Sequence, residues 1–256
     1  MLVVSGGSSI QAKIVRCFNA AKLYIFEGYG LTETSPVIAV NSPADKYNVI
    51  GTVGKAMDGT ELSFAEDGEI LTRGPHVMLG YYKNPEATKE MIDADGWLHT
   101  GDIGYLQDGM YLKITDRKKE IFKLSSGKYI APQVIETLLR ESEYIENAYV
   151  FGANEKFASA VIIPAFNKVK AYAEAQGIKA DDKEQLLKNQ DILKVLNGEV
   201  AVVNAKLAAH ENIKRATFLF DEWNTDNGML SQTLKLKRRN LMKRYENVIA
   251  ETYKAV

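Results

Sequence analysis

Residues 114–128 read Ile-Thr-Asp-Arg-Lys-Lys-Glu-Ile-Phe-Lys-Leu-Ser-Ser-Gly-Lys, and five of these fifteen side chains are Lys or Arg. Charge changes sign at this stretch: residues 1–116 carry a net −6 and residues 117–256 a net +5. Upstream, short β runs alternate with glycine-rich turn signals, whereas helical periodicity dominates downstream. A change of composition and charge at one point predicts the border of two independently packed units, with residues 117–119 as a hinge.

Working outward, 256 residues suffice for two such units, each with a core of its own. At 46% hydrophobic and 25% charged residues the composition is that of a soluble globular protein, neither disordered nor membrane-embedded. Cys17 is the single cysteine, which excludes an intrachain disulfide and fits a reducing compartment. No apolar run is long enough to cross a bilayer and no signal pattern opens the chain, so the expected location is cytoplasmic, with peripheral membrane contact left open. A net charge of −1 argues against a general nucleic-acid binder. The chain opens inside what reads as a buried strand, Leu2–Ser5, which suggests the downstream part of a larger protein.

Upstream of the hinge, Leu2–Ser5, a Gly-Gly-Ser-Ser turn, a helix with Ile10, Ile14, Cys17, Phe18 and Ala21 at helical spacing, and a strand at 23–26 predict a βαβ remnant of a parallel sheet over 1–45. Its following loop, residues 27–34, reads Glu-Gly-Tyr-Gly-Leu-Thr-Glu-Thr. Lying at the carboxyl end of a parallel strand, with glycines about an aromatic and a hydroxyl beside a carboxylate, it suits a nucleotide. Residues 46–116 predict a small antiparallel β subdomain, with strands at Glu61–Phe64, Glu69–Arg73, 97–98, 105–107 and 111–115. Asp102 falls at a strand end in this reading.

Downstream, residues 120–256 predict a mobile α+β domain. Ser125-Ser126-Gly127-Lys128 makes a hairpin, and Pro132 starts a helix that buries Val134, Ile135, Leu138 and Leu139 on one face. Strands follow at 145–151 and 159–164, helices at 168–176, 183–189 and 192–209, a strand at 217–220 and a last helix at 237–253. The fold class is thus α/β with α+β. His76, His99 and His210 lack metal-ligand spacing, so no zinc site is expected.

Four stretches then occur in order: Tyr-Gly-Leu-Thr-Glu at 29–33, Trp-Leu-His-Thr-Gly-Asp-Ile-Gly at 97–104, Ile-Thr-Asp-Arg-Lys-Lys-Glu-Ile at 114–121 and Thr-Leu-Lys-Leu-Lys-Arg-Arg at 233–239. Together they resemble the adenylate-forming superfamily. The runs at 28–38 and 73–88 are most similar to its long-chain fatty acid CoA ligase branch. The resemblance implies an AMP-forming ligase that joins a fatty acid to ATP as an acyl-adenylate and passes the acyl group to coenzyme A, with Mg²⁺ required.

By that resemblance Tyr29 lies against adenine, Gly30 lets backbone approach the nucleotide, Thr32 serves phosphate and Glu33 holds Mg²⁺. Asp102 would accept hydrogen bonds from the ribose hydroxyls, Arg117 would reach ribose or phosphate, and Lys119 stands at the hinge position. Lys235 matches the lysine carried to the reacting carboxylate and α-phosphate and then withdrawn. Gly127 would approach the pantetheine arm of coenzyme A, with Lys123 beside it. The basic cluster Lys237, Arg238, Arg239, Lys243 and Arg244 could meet the nucleotide phosphates of coenzyme A or simply face water. Thr233-Leu234 departs from the Ser-Gly that many relatives carry. The superfamily's Ser/Thr/Gly-rich phosphate loop is not matched by residues 5–9, so the 256-residue chain alone is expected not to complete the reaction. An aryl, amino or short-chain acid substrate, and a noncatalytic nucleotide-binding fragment, are the alternatives.

Overall fold

The computed structural model describes residues 2–43, 48–178 and 182–254, which divide into two compact units, Met1–Lys119 and Glu120–Val256. The expected border at 45/46 lies outside the described residues.

In the first unit, β1 (Leu2–Ser5), α1 (Ala12–Ala20) and β2 (Tyr24–Tyr29) form the βαβ unit, with β1 and β2 parallel and in register from Leu2↔Tyr24 to Ser5↔Glu27. Two short strands extend this sheet: β3 (Ala39–Val40) pairs antiparallel with β2, and β4 (Lys55–Ala56) pairs antiparallel with β3. The helix lies where its apolar spacing placed it, with Ile14, Cys17 and Phe18 exposed and Val15 buried. Two parallel strands are too narrow to cover a full helical stripe, so periodicity marks an amphipathic helix without saying that its apolar side is covered.

A second sheet runs β5 (Glu61–Phe64), β6 (Glu69–Arg73), β7 (Leu98–Gln107) and β8 (Tyr111–Arg117), all antiparallel, with helix α2 (Pro85–Met91) between β6 and β7. Asn84 caps α2 by accepting from the Ala87 N–H, and Pro85 occupies its first turn. The expected separate strands at 97–98 and 105–107 are one strand. Gly101 at φ +71° lets β7 bulge, so that its pairing with β6 slips between Leu71↔His99 and Glu69↔Ile103 while the strand continues. The two sheets share a core of Ile38, Ala39, Ile70 and Leu112.

The second unit opens on the hairpin β9 (Phe122–Lys123) and β10 (Tyr129–Ile130), then α3 (Pro132–Leu139), β11 (Ile145–Phe151) and β12 (Ala158–Pro164). Helices α4 (Phe166–Ala175), α5 (Lys183–Lys188) and α6 (Gln190–Asn204) follow, and β13 (Ile213–Phe218) pairs parallel with β12. Residues of β11 and β12 alternate between two cores. Val150, Ala160 and Ile162 meet Ile135, Leu139 and Val203, whereas Tyr149, Phe151, Val161 and Ile163 meet Trp223, Leu241 and Tyr245. Burial on both faces explains their near-continuous apolar sequence; each fully buried Ile or Leu contributes about 2 kcal/mol.

Two downstream expectations are corrected. Helix α6 ends at Asn204, whose side chain grips both backbone groups of Ile213 at 2.9 and 3.0 Å, so the strand begins four residues earlier than its apolar run suggests. The single last helix is two, α7 (Arg238–Arg244) and α8 (Glu246–Lys254), broken at Tyr245. The Tyr245 hydroxyl accepts from the Trp223 indole at 2.6 Å and donates to Asp221 at 2.8 Å, which pins the residue where the helix axis changes.

Candidate nucleotide site and lysine hairpin

In the first unit three of the expected residues meet. The Tyr29 hydroxyl donates to Asp102 Oδ2 at 2.7 Å, and Arg117 Nε lies 3.4 Å from Asp102 Oδ1. Asp102 and Arg117 face each other across β7 and β8, and Tyr29 ends β2, so strands from both sheets converge on one carboxylate. Asp102 is therefore a strand residue at the bulge rather than at a strand end. Its backbone N–H donates to Thr100 Oγ1 at 3.2 Å, and Thr100 donates to the Ile70 carbonyl at 2.7 Å. Burial and the Asp102 charge push the Tyr29 hydroxyl far above its ordinary range, so it remains a donor at any physiological pH. Asp102 is buried while Arg117 is half exposed, and each carboxylate oxygen can accept more than one hydrogen bond.

The expected loop at 27–34 is half strand: Glu27, Gly28 and Tyr29 belong to β2, and Thr32–Thr34 form one 3₁₀ turn. Gly30 is also needed by the fold itself. A Cβ there would lie 1.6 Å from the Pro36 carbonyl oxygen, so the chain's own returning backbone occupies that space. Thr32 is exposed, and half-buried Glu33 accepts the Tyr81 hydroxyl on Oε1 at 2.8 Å. Tyr81 was not foreseen; its aromatic pair with Tyr82 was the available signal.

Glu69, also unforeseen, is a buried carboxylate that accepts from the Gly101 N–H at 2.9 Å and Lys118 Nζ at 2.8 Å, with His99 Nδ1 at 3.1 Å. Burial works to raise it, but these partners outweigh burial and hold it below the ordinary carboxylate range. Lys118, which also pairs with Asp67 at 2.7 Å, thus ties the end of β8 to β6. Lys119 follows in an exposed turn. Among the described residues no three His, Cys, Asp or Glu side chains gather as a metal cluster, and no helix is long and apolar enough to cross a membrane.

In the second unit Gly127 takes φ +85° in the turn of the β9–β10 hairpin. Lys123 lies over the exposed Tyr129 ring at 5.5 Å. Lys235 sits in another tight turn: Ser231 N–H donates to the Lys235 carbonyl and Leu234 N–H to the Ser231 carbonyl, both at 2.8 Å. Leu234 holds φ +58° and is exposed. A side chain in this left-handed region costs about 1–2 kcal/mol. Leu234→Gly is therefore expected to raise unfolding free energy by about 0.5–1 kcal/mol, less the entropy glycine adds to the unfolded chain. Denaturant unfolding checks this, and a destabilised variant would refute the strained turn.

Of the basic cluster at 237–244, Lys237, Arg239, Lys243 and Arg244 are exposed and only Arg238 is a correction. Arg238 is internal, donating to Glu136 and Glu120, and Arg244 pairs with Asp221 at 3.2 Å.

Residues 1–82 match the family described as AMP-binding enzyme, and residues 119–256, more than half of the chain, match the AMP-binding enzyme C-terminal domain. The chain belongs to the AMP-binding enzyme family. Among similar sequences of this AMP-binding family are long chain acyl-CoA synthetase 6, peroxisomal, of Arabidopsis thaliana and long-chain-fatty-acid–CoA ligase 1 of Homo sapiens. Both are 34% identical, over 98% and 100% of this chain. Long-chain-fatty-acid–CoA ligase FadD15 of Mycobacterium bovis is 36% identical over 98%. This chain spans 38% of the first two and 41% of the third.

Its fold resembles the adenylation domain of a carboxylate reductase from Mycobacterium chelonae, with a TM-score of 0.74 and 20% identity over 98% of this chain and 38% of that one. It also resembles o-succinylbenzoate coenzyme A synthetase from Bacillus subtilis in complex with ATP and magnesium ion, with a TM-score of 0.68 and 23% identity over 93% of this chain and 46% of that one.

Proposed function

We propose that this chain is part of an AMP-forming acyl-CoA synthetase that activates a long-chain fatty acid with ATP and transfers the acyl group to coenzyme A. In the first step a carboxylate oxygen bonds to the α-phosphorus as pyrophosphate leaves. In the second the thiol of coenzyme A attacks the acyl carbon and AMP leaves. The observation that carries the reading is the convergence of Tyr29, Asp102 and Arg117. An aromatic ring, a buried carboxylate suited to a ribose diol and a guanidinium suited to phosphate make a nucleotide site. The substrate class is supported by the long-chain relatives matched along the whole chain.

Within this reading Tyr29 and Gly30 border the base, Asp102 orients the ribose, and Arg117 bears on ribose or phosphate. Thr32 contributes a hydroxyl to the phosphates. Glu33 would hold Mg²⁺: it is an oxygen donor beside Thr32, oriented by Tyr81 at one oxygen, which suits a hard cation completed by phosphates and water. When bound, that ion neutralises phosphate charge. Lys119 is the pivot, Lys235 neutralises charge developing at the α-phosphate, and Gly127 with Lys123 lines the approach of the coenzyme A arm. The lone cysteine and the lack of a long apolar helix among the described residues support cytoplasmic action.

Acid-dependent ATP–pyrophosphate exchange by the full-length protein tests the assignment. Exchange is expected to be strongest with long-chain fatty acids. Exchange confined to aryl, amino or short-chain acids would move the substrate class, and none with any acid would remove the enzyme reading.

A further inference from the structure

Arg238 stands three residues after Lys235, immediately past the hairpin that carries it. That hairpin spans residues 229–237: Leu230 bridges Leu236 antiparallel, and Lys237 N–H donates to the Met229 carbonyl at 2.9 Å. Leu230 and Leu236 anchor it to the core of Trp223, Leu241 and Tyr245. Apolar contact of this kind is non-directional, so a directional tie to the rest of the unit adds to what it fixes.

Arg238 supplies such a tie. Its guanidinium meets both oxygens of Glu136 as a fork, Nη2 to Oε2 at 2.6 Å and Nη1 to Oε1 at 3.0 Å, and its Nε donates to Glu120 Oε2 at 2.8 Å. Glu136, on α3, also accepts the Val150 N–H of β11 at 2.8 Å, so the partner is itself fixed. Glu120 is the first residue of the second unit and is further held by Gln133 Nε2 at 2.5 Å. The Arg238 side chain is 18% exposed and that of Glu136 is 4% exposed, so this fork is not a surface pair loosened by water. One planar group thus joins the lysine hairpin, α3 and the residue next to the hinge, all within the second unit.

We propose that Arg238 is the positioning residue for Lys235, aligning its hairpin with the hinge end of the second unit so that rotation at residue 119 carries the lysine with little play. The proposal rests on the reading that Lys235 acts in acyl-adenylate formation. A displaced donor loses most of its effect on the transition state while leaving substrate binding and the later step alone.

The test uses the full-length protein with Arg238→Met, Arg238→Lys, Glu120→Gln and Lys235→Ala. Arg238→Met is expected to lower kcat for ATP–pyrophosphate exchange by about ten- to a hundredfold, with KM for ATP changed less than about threefold. Thioester formation from supplied acyl-adenylate should stay within about twofold of the parent, and adding Arg238→Met to Lys235→Ala should cost nothing more. Arg238→Lys, which keeps the charge but not the fork, is expected to recover only part of the loss. Because Arg238→Met strands a buried carboxylate and can prevent folding, Glu120→Gln leaves the Glu136 fork intact and should slow exchange selectively by about three- to tenfold. Equal loss in both half-reactions, or full exchange in Glu120→Gln and Arg238→Met, overturns the positioning role. Full exchange in Lys235→Ala would instead overturn the underlying assignment of the lysine.

Discussion

Replacing Lys235 with Ala in the full-length protein is expected to slow acyl-adenylate formation by on the order of a hundredfold or more, while nucleotide binding changes by less than about threefold. The reaction brings an anionic carboxylate to an anionic α-phosphate, and the charge is greatest as the new bond forms. A cation delivered at that moment stabilises the transition state more than the bound substrates, so its loss falls on kcat. Lys235 suits this task because its backbone is held in a tight turn: the Ser231 N–H donates to the Lys235 carbonyl, and the Lys235 N–H donates to Ser231 Oγ. ATP–pyrophosphate exchange with calorimetric titration of a nonhydrolysable ATP analogue separates the two effects. Unchanged exchange would refute the role, and a binding loss as large as the rate loss would make Lys235 a ground-state ligand.

Gly30→Ala is expected to destabilise the first unit by on the order of 3 kcal/mol, at the top of the usual range for overpacking. The added methyl would lie 1.6 Å from the Pro36 oxygen, 2.6 Å from its carbonyl carbon and 2.8 Å from the Val37 Cα, all of them backbone atoms with no rotamer to escape into. The segment cannot easily yield, because Ile38 N–H donates to the Tyr29 carbonyl at 2.8 Å and Ala39 pairs with Tyr29 immediately beyond. Any shift would drag Tyr29 from Asp102, so nucleotide affinity should fall with stability. A melting transition lowered by roughly 10 °C is the expected reading for a unit of this size. An unchanged transition would mean that the backbone at Pro36 yields to the added methyl.

How legible these features were depends on the range of the forces behind them. The Ser-Ser-Gly turn at 125–127 and the Pro132 helix start both followed from residues a few positions apart, because φ preference and side-chain period act locally. Tyr29 and Asp102, 73 residues apart, could be named as separate candidates by resemblance, but their 2.7 Å hydrogen bond depends on how two sheets meet. The basic run at 237–239 looks the same whether solvated or internal. Only packing turns Arg238 toward two carboxylates that lie 102 and 118 positions upstream.

By itself the sequence determined where most of the strands, helices and turns lie, though not all of their bounds, the change of character near residue 117, and the residue types able to serve a nucleotide and an acyl phosphate. Those are consequences of backbone sterics, periodic burial and side-chain chemistry, each contained in a short window. The tertiary structure alone decided that Gly30 yields its space to Pro36, that the apolar side of α1 is left exposed, and that Arg238 locks the lysine hairpin to Glu120 and Glu136. Each is a contact between distant segments, and such contacts arise from the geometry of packed elements rather than from the preferences of any one of them.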